Sequence, residues 1–257
     1  MPLHVEVQGT GPPLVLLHGF TQTGRLWGPF GEALAPGRRL ISIDLPGHAG
    51  SDGVRADLES TAALVAEAVI SHVGSIPCDL LGYSLGARVA LHVAIGNDLP
   101  LSRLVLIGAT GGIDDAAARE QRRRADNDMA DALEASGDVD QFVADWLRGP
   151  LFTRLRAIAA DDSAERVRNT AGGLASSLRL CGTGTQMPLW DHISDITVPM
   201  LAMAGADDER FSAHAFRLAS LAADGAVSLV PGGGHAVHLA QPALVGRLVT
   251  HWLTMSG

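Results

Sequence analysis

Short apolar runs alternate along this chain with stretches whose apolar residues recur every three or four positions. Residues 5–7, 14–18, 40–44, 79–81 and 104–107 read as strands. Residues 25–34, with Trp27, Phe30 and Leu34 on one side, residues 58–73 and residues 85–95 read as helices. From about residue 112 to residue 190 the pattern is helical and polar with no strand signal, and this is too long for a loop. The alternation resumes with a strand at 198–204, a helix at 210–222, a strand at 226–230 and a helix at 241–252. Strands alternating with helices imply an α/β fold with a mostly parallel sheet and helices on both faces. Right-handed crossovers then gather the loops that follow the strands along one sheet edge. The expected division is a core of residues 1–111 and 191–257, with residues 112–190 as a helical cap.

Composition narrows this picture. At 257 residues and 47% hydrophobic content, the chain holds one large domain with an insertion. No run of 18 apolar residues suggests a membrane span, and the N-terminus lacks the basic and apolar regions of a signal peptide. Cys78 and Cys181 form no metal or redox spacing, which fits a reduced, cytoplasmic setting. A net charge of −9 argues against nucleic-acid binding. All 19 basic residues are arginine. A GC-rich genome explains that blandly; the aptness of arginine for carboxylates is the functional reading.

The chemistry is carried by Gly82-Tyr83-Ser84-Leu85-Gly86. Between a strand and a helix, this pattern reads as a nucleophile elbow, a strained turn that lifts a serine hydroxyl above the sheet. A neutral serine needs a histidine to take its proton and a carboxylate to orient that histidine. In folds of this build the order is serine, acid, histidine. Gly205-Ala206-Asp207-Asp208 and Pro231-Gly232-Gly233-Gly234-His235 supply it, each just after a strand. Asp208, three residues after the glycine, is favoured over Asp207. His235, directly after the glycine run, is favoured over His238, which either supports the site from behind or only packs. His18-Gly19-Phe20 ends an earlier strand, so the N–H groups of Phe20 and Leu85 are the expected oxyanion hole.

These features together resemble the α/β-hydrolase superfamily over essentially the whole chain. Within it, His18-Gly19-Phe20, Asp44-Leu45-Pro46-Gly47-His48, Gly82 to Arg88 and Gly234-His235-Ala236-Val237-His238 resemble the MenH family, the 2-succinyl-6-hydroxy-2,4-cyclohexadiene-1-carboxylate synthases of menaquinone biosynthesis. The cap segments 119–126, 144–152, 166–169 and 189–191 continue the likeness. The resemblance implies a lyase that eliminates pyruvate from a cyclohexene bearing three carboxylates. It assigns Arg88, Arg122 and Arg168 to those carboxylates, Trp146 to the pocket wall and Tyr83 to the place beside the nucleophile. Arg88 lies one helical turn after Ser84, on the same face. The plainer expectations are a solvated surface for Arg123 and Arg124, and simple packing for Tyr83 and Trp146. Bulk charge decides nothing, since residues 113–190 hold 10 arginines and 13 acids. The expectation is a small polycarboxylate substrate, no cofactor or metal, no nucleic-acid or membrane partner, and an oligomeric state left open. The rivals are a serine hydrolase with Ser84 as covalent nucleophile and a non-catalytic receptor for a small acid.

Overall fold

Leu14, Val15, Leu16 and Leu17 are all fully buried, and so are Leu80, Leu81, Leu104, Val105, Leu106 and Ile107. Such runs belong to strands covered on both faces. The computed structural model, which describes residues 2–254 except 98, 154 and 156–162, places them at the centre of a seven-stranded sheet. Its strands are β1 (Val5–Gly9), β2 (Pro13–Leu17), β3 (Arg39–Ile43), β4 (Cys78–Tyr83), β5 (Leu101–Ile107), β6 (Met200–Gly205) and β7 (Gly225–Val230), in the order β1-β3-β2-β4-β5-β6-β7. Every pairing is parallel except β1 with β3. That exception follows from the short connection from β1 to β2: the chain turns back at Gly9, whose φ of 77° is open to glycine.

The period of two within each strand splits the core. Val15, Leu17, Leu80, Leu104 and Leu106 point to one face, with Val65 and Val69 of α2 (Leu58–Val73), Val89 and Leu91 of α3 (Leu85–Gly96), and Leu218 of α8 (Glu209–Leu221). Leu14, Leu16, Leu81, Val105 and Ile107 point to the other, where Phe30 of α1 (Gly28–Leu34), Val237 of α9 (Val237–Ala240) and Val245 and Val249 of α10 (Pro242–Thr254) cover them. This is the mostly parallel sheet with helices on both faces expected of the alternation, and the arrangement implied by the resemblance to the α/β hydrolases. Helix α1 begins three residues later than its spacing suggests. The Gly24 N–H is drawn instead to the Asp44 carboxylate at 2.6 Å, and Leu26 N–H closes a turn on Thr23.

Between β5 and β6 the described residues form helices and no strand: α4 (Ala116–Ser136), α5 (Val139–Arg148), α6 (Ser163–Arg166) and α7 (Ala171–Cys181). Their starts are written locally. Asp115 and Asp138 accept from the N–H three residues on, and Thr170 does so for Gly173. Gly137, with φ 65°, ends α4 by donating to Leu133. Helices α4 and α7 pack through Ala130, Ala175 and Leu178, with Phe20 from the core reaching that cluster. The helices therefore lie over the loop edge at which β2, β4, β6 and β7 end.

Candidate active site

Strand β4 and helix α3 meet at Ser84, whose φ of 51° and ψ of −104° are strained for a residue with a Cβ. The strain persists because close packing fixes it. A Cβ on Gly86 would lie 2.0 Å from the Leu17 carbonyl oxygen, and one on Gly82 would lie 2.4 Å from that of Gly86. Gly86 N–H donates to His18 O at 3.0 Å and Ser84 N–H to Ile107 O at 2.9 Å, tying the elbow to both neighbouring strands. The hydroxyl stands 2.9 Å from His235 Nε2. Gly108 leaves room for this ring, since a Cβ there would meet His235 at 2.9 Å.

His235 is buried against Phe211 at 4.2 Å and Tyr83 at 5.4 Å between ring centres. Burial, with a smaller push from the positive charge of Arg210, lowers its pKa to about 3. The ring is therefore neutral near pH 7 and free to accept the serine proton. Its Nδ1 faces Asp208 Oδ2 at 3.9 Å, an ion-pair distance longer than a hydrogen bond. Asp208 is itself anchored: it caps α8, its Oδ1 accepting from Phe211 N–H at 3.1 Å. Asp207 is exposed. His238 is buried among Tyr83 (4.2 Å), Phe30 (5.4 Å) and Trp27 (5.8 Å), away from Ser84, with no hydrogen bond at either ring nitrogen among the described residues. Burial lowers its pKa to about 3 as well, so it serves as a neutral packing ring behind Tyr83.

The loop after β2 completes the centre. His18 bridges Gly19 O and Leu45 N–H through its two nitrogens, and Gln22 Oε1 accepts from Gly19 N–H at 2.8 Å. The N–H groups of Phe20 and Leu85 have no partner among the described residues, and both residues line the same cavity as Ser84.

A cavity opens over Ser84 and His235, walled by Phe20, Trp146 and Phe152. Trp146 meets Phe20 edge-on at 5.0 Å. Arg88 lines the floor. It is buried, donating to Cys181 O at 2.7 Å and Gln186 Oε1 at 3.3 Å, and burial lowers its pKa only to about 10, so it stays cationic. Arg122 lines the cavity from α4, its Nε held by Asp126 Oδ1 at 2.8 Å. Asp126 Oδ2 and Ser177 Oγ, also in the lining, are buried with no partner among the described residues. Orphaned polar atoms in a cavity wall suit a polar ligand.

Arg168 is not brought to this cavity. It is exposed and paired with Glu165 at 3.0 Å. Two residues earlier, Arg166 is buried and donates to Thr21 Oγ1 at 2.6 Å beneath the site, where its charge bears on His18, Tyr83 and His238. The sequence holds both arginines side by side, and the short α6 turn carries too little periodicity to say which one faces in. Arg123 and Arg124 pair with Glu120 on the surface. Arg210 lines the cavity and was not singled out by sequence; its place in the first turn of the helix that Asp208 caps was the available signal.

A serine on a strained elbow after β4, an acid after β6 and a buried imidazole after β7 define an enzyme of the α/β-hydrolase superfamily. The alpha/beta hydrolase family model matches residues 14–248, and the chain belongs to that family. Among curated relatives, the 2-succinyl-6-hydroxy-2,4-cyclohexadiene-1-carboxylate synthase of Escherichia coli is 34% identical over 252 residues, covering 95% of each chain. The fold of MenH from S. aureus superposes with a TM-score of 0.91 at 30% identity over 97% of both chains. A thermophilic esterase from Thermogutta terrifontis shares the fold alone, at 24% identity and a TM-score of 0.83. The chain is thus related to the synthase family at moderate identity. No helix among the described residues is long and apolar enough to cross a membrane.

Proposed function

We propose that this chain is a lyase that eliminates pyruvate from 2-succinyl-5-enolpyruvyl-6-hydroxy-3-cyclohexene-1-carboxylate, giving 2-succinyl-6-hydroxy-2,4-cyclohexadiene-1-carboxylate. The observation that carries the reading is a serine–histidine pair at 2.9 Å opening into a cavity lined by Arg88 and Arg122. A substrate with three carboxylates needs such cations, because a carboxylate leaving water is costly unless paired. The Escherichia coli relative is named for the same product, as a 2-succinyl-6-hydroxy-2,4-cyclohexadiene-1-carboxylate synthase, which supports the assignment here.

In this scheme neutral His235 takes the Ser84 proton, and the serine oxygen removes a ring proton next to the succinyl carbonyl. The charge moves onto that carbonyl oxygen, where the Phe20 and Leu85 N–H groups hold it. The electron pair then returns to form the C2=C3 double bond, the existing C3=C4 double bond shifts to C4=C5, and the bond from C5 to the enolpyruvyl oxygen breaks. The leaving enolate takes the proton held on His235 and becomes pyruvate, the base returns to its neutral form, and no water is consumed. Asp208 steadies the imidazolium once His235 moves about 1 Å nearer than its resting 3.9 Å, the tightening expected when a ligand fills a catalytic site.

Replacing Ser84 with alanine should lower pyruvate release by at least about a thousandfold, with the melting temperature unchanged. Full release by that variant would refute the scheme. A second reading, serine hydrolysis, is favoured by the elbow itself, which presents Ser84 as a nucleophile. Fast turnover of nitrophenyl esters with no pyruvate release would select it.

A further inference from the structure

Three cations line the cavity, and they differ in how much of their charge the protein already uses. Arg88 is buried and spends its fork on a backbone carbonyl and the Gln186 side chain. Arg122 is held by the Asp126 carboxylate, which also lines the cavity. Two arginines less one aspartate leave a single positive charge for a ligand with three negative ones. Arg168 does not make up the deficit, because it sits on the surface with Glu165.

Arg210 is the third lining cation. It is exposed and has no carboxylate partner among the described residues. Its guanidinium rests on the Phe211 ring at 5.7 Å, and Phe211 in turn packs on His235 at 4.2 Å. It stands in the first turn of α8, two residues after Asp208, so the capped helix end fixes it at the rim beside the catalytic base. A guanidinium held at the rim, half-solvated and unneutralised, is suited to a carboxylate: it can pair bidentately without first breaking an internal ion pair.

Resting on the lyase reading for its natural substrate, we propose that Arg210 is a specificity-determining residue that binds one substrate carboxylate at the cavity rim and selects anionic over neutral substrates. The charge on Arg210 has a second effect: it adds to burial in disfavouring protonation of His235.

The test compares wild type, R210Q and R210K in two assays. In pyruvate release, R210Q should raise KM about tenfold while changing kcat far less, as expected of a partly solvated charge pair that is lost, and R210K should recover most of the difference. In the second assay, a nitrophenyl ester of succinate, which is anionic, is compared with the neutral nitrophenyl propionate. The anionic-over-neutral ratio of kcat/KM should fall about tenfold in R210Q and return in R210K. An unchanged KM and ester ratio in R210Q, or no charge preference in wild type, overturns the assignment. So does a loss that R210K fails to restore, because it would mark packing on Phe211 and not charge. If wild type released no pyruvate but R210Q still lost its ester preference, the lyase reading would fall and the role of Arg210 would stand.

Discussion

Four histidines lie fully inside this protein, and acid should unfold it through them. His18 has its pKa lowered to about 4, and His48, His235 and His238 to about 3, each chiefly by burial, against an ordinary value of 6.5. A histidine whose folded pKa is depressed contributes stability that is present above 6.5 and lost as pH falls, because the unfolded chain takes up a proton that the folded chain cannot. The loss continues until the folded pKa is reached, so the window runs from 6.5 down to about 4 for His18 and about 3 for the other three. At pH 5 each ring costs about 2 kcal/mol, which is the logarithm of the unfolded-state protonation at about 1.4 kcal/mol per unit. Four rings give about 8 kcal/mol, comparable to the whole stability of an ordinary domain, roughly 5–15 kcal/mol. Exposed carboxylates with lowered pKa, such as Glu120 and Asp57, act in the same direction but only below about 4.5, so they do not contribute between pH 7 and pH 5. Urea unfolding followed by circular dichroism at pH 7.0, 6.0, 5.5 and 5.0 should show the unfolding free energy falling with a slope near 5 kcal/mol per pH unit at the acid end, about four protons. In His238→Leu, which removes a ring with no hydrogen bond at either nitrogen, the slope should drop by about a quarter. A flat profile between pH 6.5 and 5 in the parent protein, or an unchanged slope in the variant, would refute the argument.

Other outcomes follow from the same packing. Gly86→Ala drives a Cβ to 2.0 Å from the Leu17 carbonyl oxygen, which is backbone and does not yield. It should cost at least about 3 kcal/mol in chemical denaturation or prevent soluble folding, and a stable Gly86→Ala protein would contradict the elbow geometry. Arg168→Ala should leave pyruvate release and melting near those of the parent, within about 0.5 kcal/mol, as for an exposed ion pair. Arg166→Ala strips a buried guanidinium from Thr21 and should destabilise the fold by about 2–4 kcal/mol by denaturation; equal effects of the two would overturn their placement.

The local patterns of this chain were legible because they are short-range. A strand buried on both faces needs an apolar run, as at Leu14–Leu17, and a helix covering it needs a period near 3.6, which fixed α2 at residues 58–73 in both sequence and structure. The elbow was legible for the same reason: Gly82 and Gly86 are demanded by contacts within a few residues and by the strand alongside. The direction of β1 was not legible, because pairing with β3 is decided by a return of chain that carries no periodic signal.

Sequence alone determined the order serine, acid, histidine and the strand ends at which each stands, since those depend on alternation along the chain. Only the tertiary structure decided which of two adjacent candidates faces the site. Asp208 and not Asp207 caps α8 beside His235, Arg166 and not Arg168 turns inward, and Arg210 joins Arg88 and Arg122 around one cavity. The reason is that residues one or two apart point to different sides, and which side is the site depends on how α6, α8 and the cap pack against a sheet built from distant stretches of chain.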